Sequence, residues 1–323
     1  MNMGLARVLS DTEVLGLIHV IWRRWRELRS YVYRSIGVRN TEELIAWVMD
    51  VDRCRPIGER LDRFLEVLRG VAERLGLMDS AVAEVKRVLA MGVEVIPFFF
   101  ERYPCELLRY RTGTDFIYPP LVLYAMRLHI DVNSRPAVAI VGTRRCSAWG
   151  RTAAFELGKR IAERNLLLVT GLAEGIDVSA ALGAIEGGGH VIGVRPWLAP
   201  LTLPHESRRV VEESSGRVAV VSENLFKPGS SSRRAISYLY YLRNRIIAGM
   251  SRVVIVVEAR DHPHSGSMHQ IELALKRGKP VVILEHPEQG STYWRAFEKY
   301  VSKGARVARD LDEAVKVVEE LTS

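Results

Sequence analysis

The architecture of this chain is legible first in Ala137–Gly150, AVAIVGTRRCSAWG. The apolar run from Val138 to Val141 stops at Gly142, a polar turn follows, and a helical pattern starts near Trp149. A buried strand that passes through a tight glycine turn into a helix leaves backbone N–H groups unpaired at the helix start. Those donors and the helix dipole together favour an anion, phosphate above all. Arg144 and Arg145 add two full positive charges to the same turn. The stretch predicts a phosphate-binding edge on an α/β sheet.

Outward from this turn, the pattern repeats. From Arg135 onward the apolar runs VAIV, LLLV, HVIGV, VAVV, VVIVV and PVVIL alternate with helical patterns. The helices are expected over Gly150–Arg164, Asp177–Glu186, His205–Ser214, Ala235–Met250 and Met268–Arg277. Continuous apolar strands joined by helical crossovers predict a mostly parallel sheet covered on both faces. Ligands of such sheets bind at the carboxyl ends of the strands. The tail, GARVARDLDEAVKVVEEL, reads as one more short strand and a closing helix.

The part before this region has a different texture. From Thr12 to about Met91 apolar residues recur at helical spacing, with Asp11 or Thr12 as a first cap and Thr41, Glu42 and Glu43 opening a later helix. The segment WRRWRELRSYVYRS alternates aromatics with arginines. It reads first as an amphipathic helix with Trp22, Trp25 and Leu28 inward, and second as a nucleic-acid or partner face. VEVIPFFF reads as a short strand, ERYPCELL as a turn into a brief helix, and IYPPLVLYAM as a connector into an apolar strand or helix. The expected division is a helical N-terminal domain over 1–92, a connecting segment over 93–134 and the α/β domain over 135–323.

The chain has 323 residues, 48% hydrophobic and 26% charged, enough for a large core. A net charge of +8 suits a polyanionic partner and equally suits plain solubility. Cys54, Cys105 and Cys146 are scattered and odd in number, which predicts neither a disulfide framework nor a zinc site and points to a reducing cytosol. No apolar run reaches the roughly 18 residues of a membrane span, and MNMGLARVLSDTEVLG lacks a signal-peptide core. A soluble, cytoplasmic protein is the expectation. Glutamine stands only at Gln270 and Gln289, a weak mark of thermophile composition.

Two further turns share the chemistry of the first. GLAEGID (171–177) follows LLLVT, with Gly171 and Gly175 letting the backbone approach a ligand and Asp177 at its end. EARDHPHSGS follows VVIVV, with Ser265, Gly266 and Ser267 set to cap the next helix. In YLRNRIIAGMSR, Arg243 and Arg245 flank Asn244 and are expected to reach the sheet edge as phosphate clamps. Three small-residue turns at parallel strand ends favour a phosphate-rich ligand.

Other chemistries fit less well. The first turn is not G-x-G-x-x-G, and neither a Walker A lysine motif nor a G-x-S-x-G elbow is present. His262, His264 and His269 with Asp261 are too irregular for a metal site, and Ser265 or Ser267 lacks a base to make it a nucleophile. No metal and no cofactor are expected.

Taken together, VGTRRCSAWG, VTGLAEGID, SENLFKPG, RNRIIAGMS and EARDHPHSGS resemble, in order and spacing, the DNA-processing protein A family, DprA or Smf. ERYPCELL and PPLVLYAM are similar to the family's segment before the sheet. The resemblance implies a Rossmann-like domain that binds single-stranded DNA, forms a homodimer and assists loading of a RecA- or RadA-type recombinase in DNA uptake, natural transformation and recombination, without being an enzyme. Carried over by motif, Gly142, Thr143, Arg144 and Ser147 line the phosphate pocket, with Arg145 in the same turn. Gly171, Gly175 and Asp177 form its second wall, and Arg243, Asn244, Arg245, Ser265, Gly266 and Ser267 lie opposite. Glu174, Ala181, Gln270, Ile271 and the loop VRPWLAPLTLPHES depart from the family pattern, which implies a divergent member of archaeal type.

Two other readings stand beside it. One is a nucleotide-binding or nucleotide-hydrolysing protein of the lysine-decarboxylase-like phosphoribohydrolase type, with Glu174, Asp177 and Glu258 for acid–base work. Its P-G-G-x-G-T-x-x-E signature is absent. The other is a scaffold that recruits a recombinase through its N-terminal helices.

Overall fold

The computed structural model describes residues 11–109, 119–214, 216–227, 229, 232–262 and 266–323. The chain divides into two compact units, Met1–Met126 and Arg127–Ser323.

The first unit is mainly helical: α1 (Asp11–Arg23), α2 (Trp25–Ile36), α3 (Thr41–Val48), α4 (Gly58–Arg74), α5 (Met78–Ala90) and α6 (Cys105–Arg109). Two short strands, β1 (Met49–Asp50) and β2 (Arg55–Pro56), pair antiparallel, as do β3 (Val93–Pro97) and β4 (Val122–Met126). The connector before Met126 therefore ends in a strand. Helix α3 starts at the expected Thr41, capped by Asn40, whose side chain accepts the Glu43 N–H. Helices α1 and α5 approach so closely that a Cβ on Gly16 would lie 2.8 Å from the Ala81 backbone. Leu17, Ile21, Phe64, Leu68 and Val85 form the core, and Phe98 meets Phe64 edge-to-face at 5.7 Å. The expected single helix over WRRWRELRSYVYRS breaks at Arg24: Trp22 lies half-buried at the end of α1, and Trp25 opens α2 buried, with Leu28 half-buried behind it.

Cys54 and Cys105 are joined by a disulfide across 51 residues of sequence, and Cys146 is free. This overturns the expectation of unpaired cysteines. The hairpin turn at Cys54 and the start of α6 meet only in the folded unit, and Arg109 reinforces the junction by donating to the Asp52 carbonyl at 2.7 Å. Spacing in sequence carries no trace of such a pairing.

The second unit alternates strand and helix: β5 (Ala137–Val141), α7 (Ala148–Glu163), β6 (Leu167–Thr170), α8 (Ile176–Glu186), β7 (Val191–Val194), α9 (His205–Glu213), β8 (Val218–Ser222), α10 (Arg233–Met250), β9 (Val253–Val256), α11 (Gly266–Lys276), β10 (Val281–Leu284), α12 (Thr292–Val301), β11 (Arg306–Ala308) and α13 (Leu311–Thr322). Its strands run in the order β11-β10-β9-β5-β6-β7-β8, every neighbouring pair parallel. All residues of β5 to β10 are buried, which explains why these strands read as unbroken apolar runs.

The chain builds outward from β5 through β8, then crosses back along α10 to lay β9 on the other side of β5. The topological switch point therefore lies between β5 and β9, where open α/β sheets place their ligand crevice. Helices α7 and α8 pack at glycine contacts: a Cβ on Gly158 would lie 2.0 Å from the Ala180 carbonyl, and one on Gly183 1.8 Å from the Phe155 carbonyl. That close approach fixes how the turns leading into the two helices face each other.

Candidate nucleic-acid interface

The turn after β5 is shaped by its neighbours. Thr143 donates its backbone N–H to the Glu258 carbonyl at 2.8 Å, and a Cβ on Gly142 would strike the Ile176 side chain at 2.5 Å. Gly175 has φ +82°, and a Cβ there would lie 2.5 Å from the Arg144 carbonyl. These glycines permit loop-on-loop packing, where the sequence alone had predicted close approach to a ligand. The outcome leaves Arg144 and Arg145 exposed at the strand end.

Ser147 caps α7, its Oγ accepting the Gly150 N–H at 3.0 Å. The anion at this helix start is internal. Glu258, 2% exposed, accepts the Ser147 backbone N–H at 2.9 Å and also accepts a hydrogen bond from the Ser147 hydroxyl. A Cβ on Gly150 would fall 2.4 Å from the Glu258 carboxyl carbon, so Gly150 is what lets the carboxylate in. His286 completes the arrangement. Its Nδ1 accepts the Glu288 N–H at 3.1 Å, which puts the ring proton on Nε2, 2.9 Å from Glu258 Oε1. Trp149 and Tyr293 pack on the His286 ring, each 5.0 Å between centroids. The predicted anion site at the switch point exists, but Glu258 fills it.

One strand over, a cationic cluster opens at the ends of β6 and β7. Arg243, 6% exposed, comes from α10 and lies directly on Gly171, where a Cβ would be 1.6 Å from its Nη1. Arg195, 5% exposed at the end of β7, donates to the carbonyls of Gly171 at 3.2 Å, Leu172 at 3.3 Å and Thr202 at 3.1 Å. The Tyr240 ring lies among them: Arg144 is 5.5 Å and Arg243 5.7 Å from its centroid, and its hydroxyl is hydrogen-bonded to Arg195.

Asp177 supplies the cluster's buried carboxylate. It accepts the backbone N–H of Gly171 at 3.1 Å and of Ala173 at 3.4 Å, and that of Gly142 as well. Burial pushes its carboxyl above the ordinary range, against the pull of Arg243 and these donors. Burial likewise lowers the Arg243 guanidinium to about 10, with Asp177 opposing the shift.

The remaining expected residues divide. Asn244 bonds the Gly266 carbonyl at 3.2 Å and so ties α10 to the start of α11. Ser267 is buried in the first turn of α11, and Ser265 lies outside the described residues. Arg245, 3% exposed, does not reach the sheet edge. Its guanidinium pairs with buried Glu223 at 2.9 Å and donates to the Leu242 carbonyl at 2.7 Å. Arg243 and Arg245, two positions apart, point to different sides of the helix, and only the first joins the cluster.

Trp197 is 8% exposed beneath Lys227, whereas Phe226 is 48% exposed. Tyr238 and Tyr241 stack on the outer turns of α10. Arg195 and Tyr240 were missed because no glycine turn flags them. The acid–base reading loses its geometry: Glu258 is committed to Ser147 and His286, Asp177 to backbone donors, and Glu174 is exposed. Among the described residues no cluster of His, Cys, Asp or Glu is placed to hold a metal, and His264 lies outside them.

With the fold and this strand-end cluster in view, comparison with known proteins gives the class. Residues 94–319 match the family of DNA recombination-mediator protein A, and the chain belongs to that family. It is 30% identical over 230 residues to DNA processing protein DprA of Streptococcus pneumoniae, a match spanning 70% of this chain and 78% of the relative. It is 30% identical over 203 residues to the Bacillus subtilis DprA, spanning 61% of this chain and 64% of the relative. The crystal structure of DprA from S. pneumoniae superposes with a TM-score of 0.61 at 23% identity, covering 88% of this chain and 95% of that one. DprA from Helicobacter pylori, described for its single-stranded DNA binding mode, superposes with a TM-score of 0.57 at 21% identity, covering 72% and 97%. Among the described residues no helix is long and apolar enough to cross a membrane.

Proposed function

We propose that this protein binds single-stranded DNA through the phosphate backbone, at the carboxyl ends of β5, β6 and β7, and acts by binding rather than catalysis. The observation that carries the reading is the convergence of Arg144, Arg195 and Arg243 around Tyr240, with Asp177 as the buried counter-charge among the described residues. Guanidinium forks match phosphate oxygens, and a half-exposed aromatic ring beside them offers a base a stacking surface. The single-strand binding named for the H. pylori relative supports the choice of nucleic acid. Gly142, Thr143, Gly171, Gly175, Asn244, Gly266 and Ser267 serve this site by shaping the loops that carry the arginines. Arg145, exposed in the first turn, extends the basic edge.

In this reading the protein works inside the cell on strands bound for recombination, as a homodimer that passes them to a RecA- or RadA-type recombinase. The boundary near residue 134 remains our proposal for where the DNA-binding domain begins. The test is binding of labelled oligo-dT to the full chain. Arg144→Ala and Tyr240→Ala should each weaken binding about tenfold, the order of a charge-assisted contact or of one stacked base. Affinity unchanged in both variants would place the DNA elsewhere.

A further inference from the structure

The cluster holds more positive charge than a single internal phosphate cancels. The groups acting on the charge of Arg243 are Asp177, Arg195, Tyr240 and Arg144. Three are arginines or their tyrosine partner, and the one carboxylate is already engaged by three backbone N–H donors. Arg243 and Arg195 are both buried, and the Arg243 Nε has no hydrogen-bond partner among the described residues. A buried cation without a full counter-charge is costly, and a ligand that supplies the missing charge recovers that cost. An internal phosphodiester brings one negative charge. A terminal phosphomonoester brings up to about two, with three acceptor oxygens in place of two.

We propose that the cluster of Arg144, Arg195, Arg243 and Tyr240 is a subsite for the phosphomonoester at the end of a nucleic-acid strand, with Arg195 positioning the loops beside it. The inference rests on the single-strand reading above and deepens it from backbone binding to end recognition. Arg195 holds Gly171, Leu172 and Thr202 together by three carbonyl contacts while its charge faces Arg144 and Arg243. A residue needed only to tie loops would do so with less repulsion if it were neutral. Its positive charge makes sense when a dianion is present.

The test compares oligo-dT of one length carrying a 5′-phosphate, a 3′-phosphate or hydroxyls at both ends, each binding to the full wild-type chain. One phosphorylated end should tighten binding about tenfold near pH 7.5, the order of an added charge-assisted contact, and the end that does so identifies the polarity. The preference should shrink near pH 5.5, because the second ionisation of a phosphomonoester falls at about 6. Asp177, Tyr240, the three arginines and exposed Glu174 face all the strands alike, so the difference between strands reports the ligand's own charge. Arg195→Met should erase the preference. Equal affinity for all ends, with binding still dependent on Arg144, overturns the inference and leaves the single-strand reading standing. No binding of any strand overturns both.

Discussion

The carboxylate of Glu258 accepts the Ser147 backbone N–H at 2.9 Å, so helix α7 carries its own anion at the crevice where a Rossmann-like sheet offers one to a ligand. The cationic cluster lies one strand away, with Arg195 and Arg243 over the ends of β6 and β7. Replacing Glu258 by Gln keeps the shape but removes the charge that satisfies Ser147 and His286. The variant should lose about 1–3 kcal/mol of stability, read as a lower urea midpoint. An unchanged midpoint would mean that the helix start does not depend on this charge.

Gly171 and Gly183 separate site from scaffold. A Cβ on Gly171 meets the tip of Arg243 at 1.6 Å, a flexible group that can swing away. Gly171→Ala should therefore weaken oligo-dT binding about tenfold while costing only about 1 kcal/mol of stability. A Cβ on Gly183 meets the Phe155 backbone at 1.8 Å, and backbone in a packed helix does not yield. Gly183→Ala should cost about 3 kcal/mol or more, with affinity preserved in whatever protein folds. The reverse pattern in unfolding and binding data would contradict this division of roles.

His19 predicts an acid-sensitive first unit. It is 1% exposed, its Nδ1 lies 2.8 Å from the Tyr124 hydroxyl, and burial lowers its pKa to about 4. Between that value and about 6.5 the unfolded chain holds a proton that the folded chain does not, so stability falls as pH drops through this window. Up to about 3 kcal/mol should be lost, tracked by denaturation at a series of pH values. His19→Gln should flatten the dependence between those limits.

The Cys54–Cys105 bridge closes a loop of 51 residues. Chain entropy assigns such a closure about 4 kcal/mol. Reduction, or Cys54→Ser, should lower the unfolding midpoint accordingly, and a midpoint indifferent to reductant would show that the bridge does not form in solution.

The strands were legible because parallel strands buried on both faces leave unbroken apolar runs, as VAIV and VVIVV do. The three turns were legible because glycine and small polar residues mark strand-to-helix junctions. What those turns face was not. Nothing local shows that Glu258, 111 residues away, fills the start of α7, or that Glu223 claims Arg245 while Arg243 is left for the site. Arg195 stands in an ordinary-looking loop, and its role appears only when β7 lies beside β6. The disulfide escaped for the same reason: both pairings are tertiary.

The most direct measurement is fluorescence anisotropy of labelled oligo-dT against salt concentration, on wild type and Arg144→Ala. Backbone binding predicts a logarithmic slope of about −0.7 for each phosphate neutralised, and a shallower slope with weaker affinity in the variant. Binding that is indifferent to salt, or a slope and affinity unaltered by the loss of Arg144, would contradict the account.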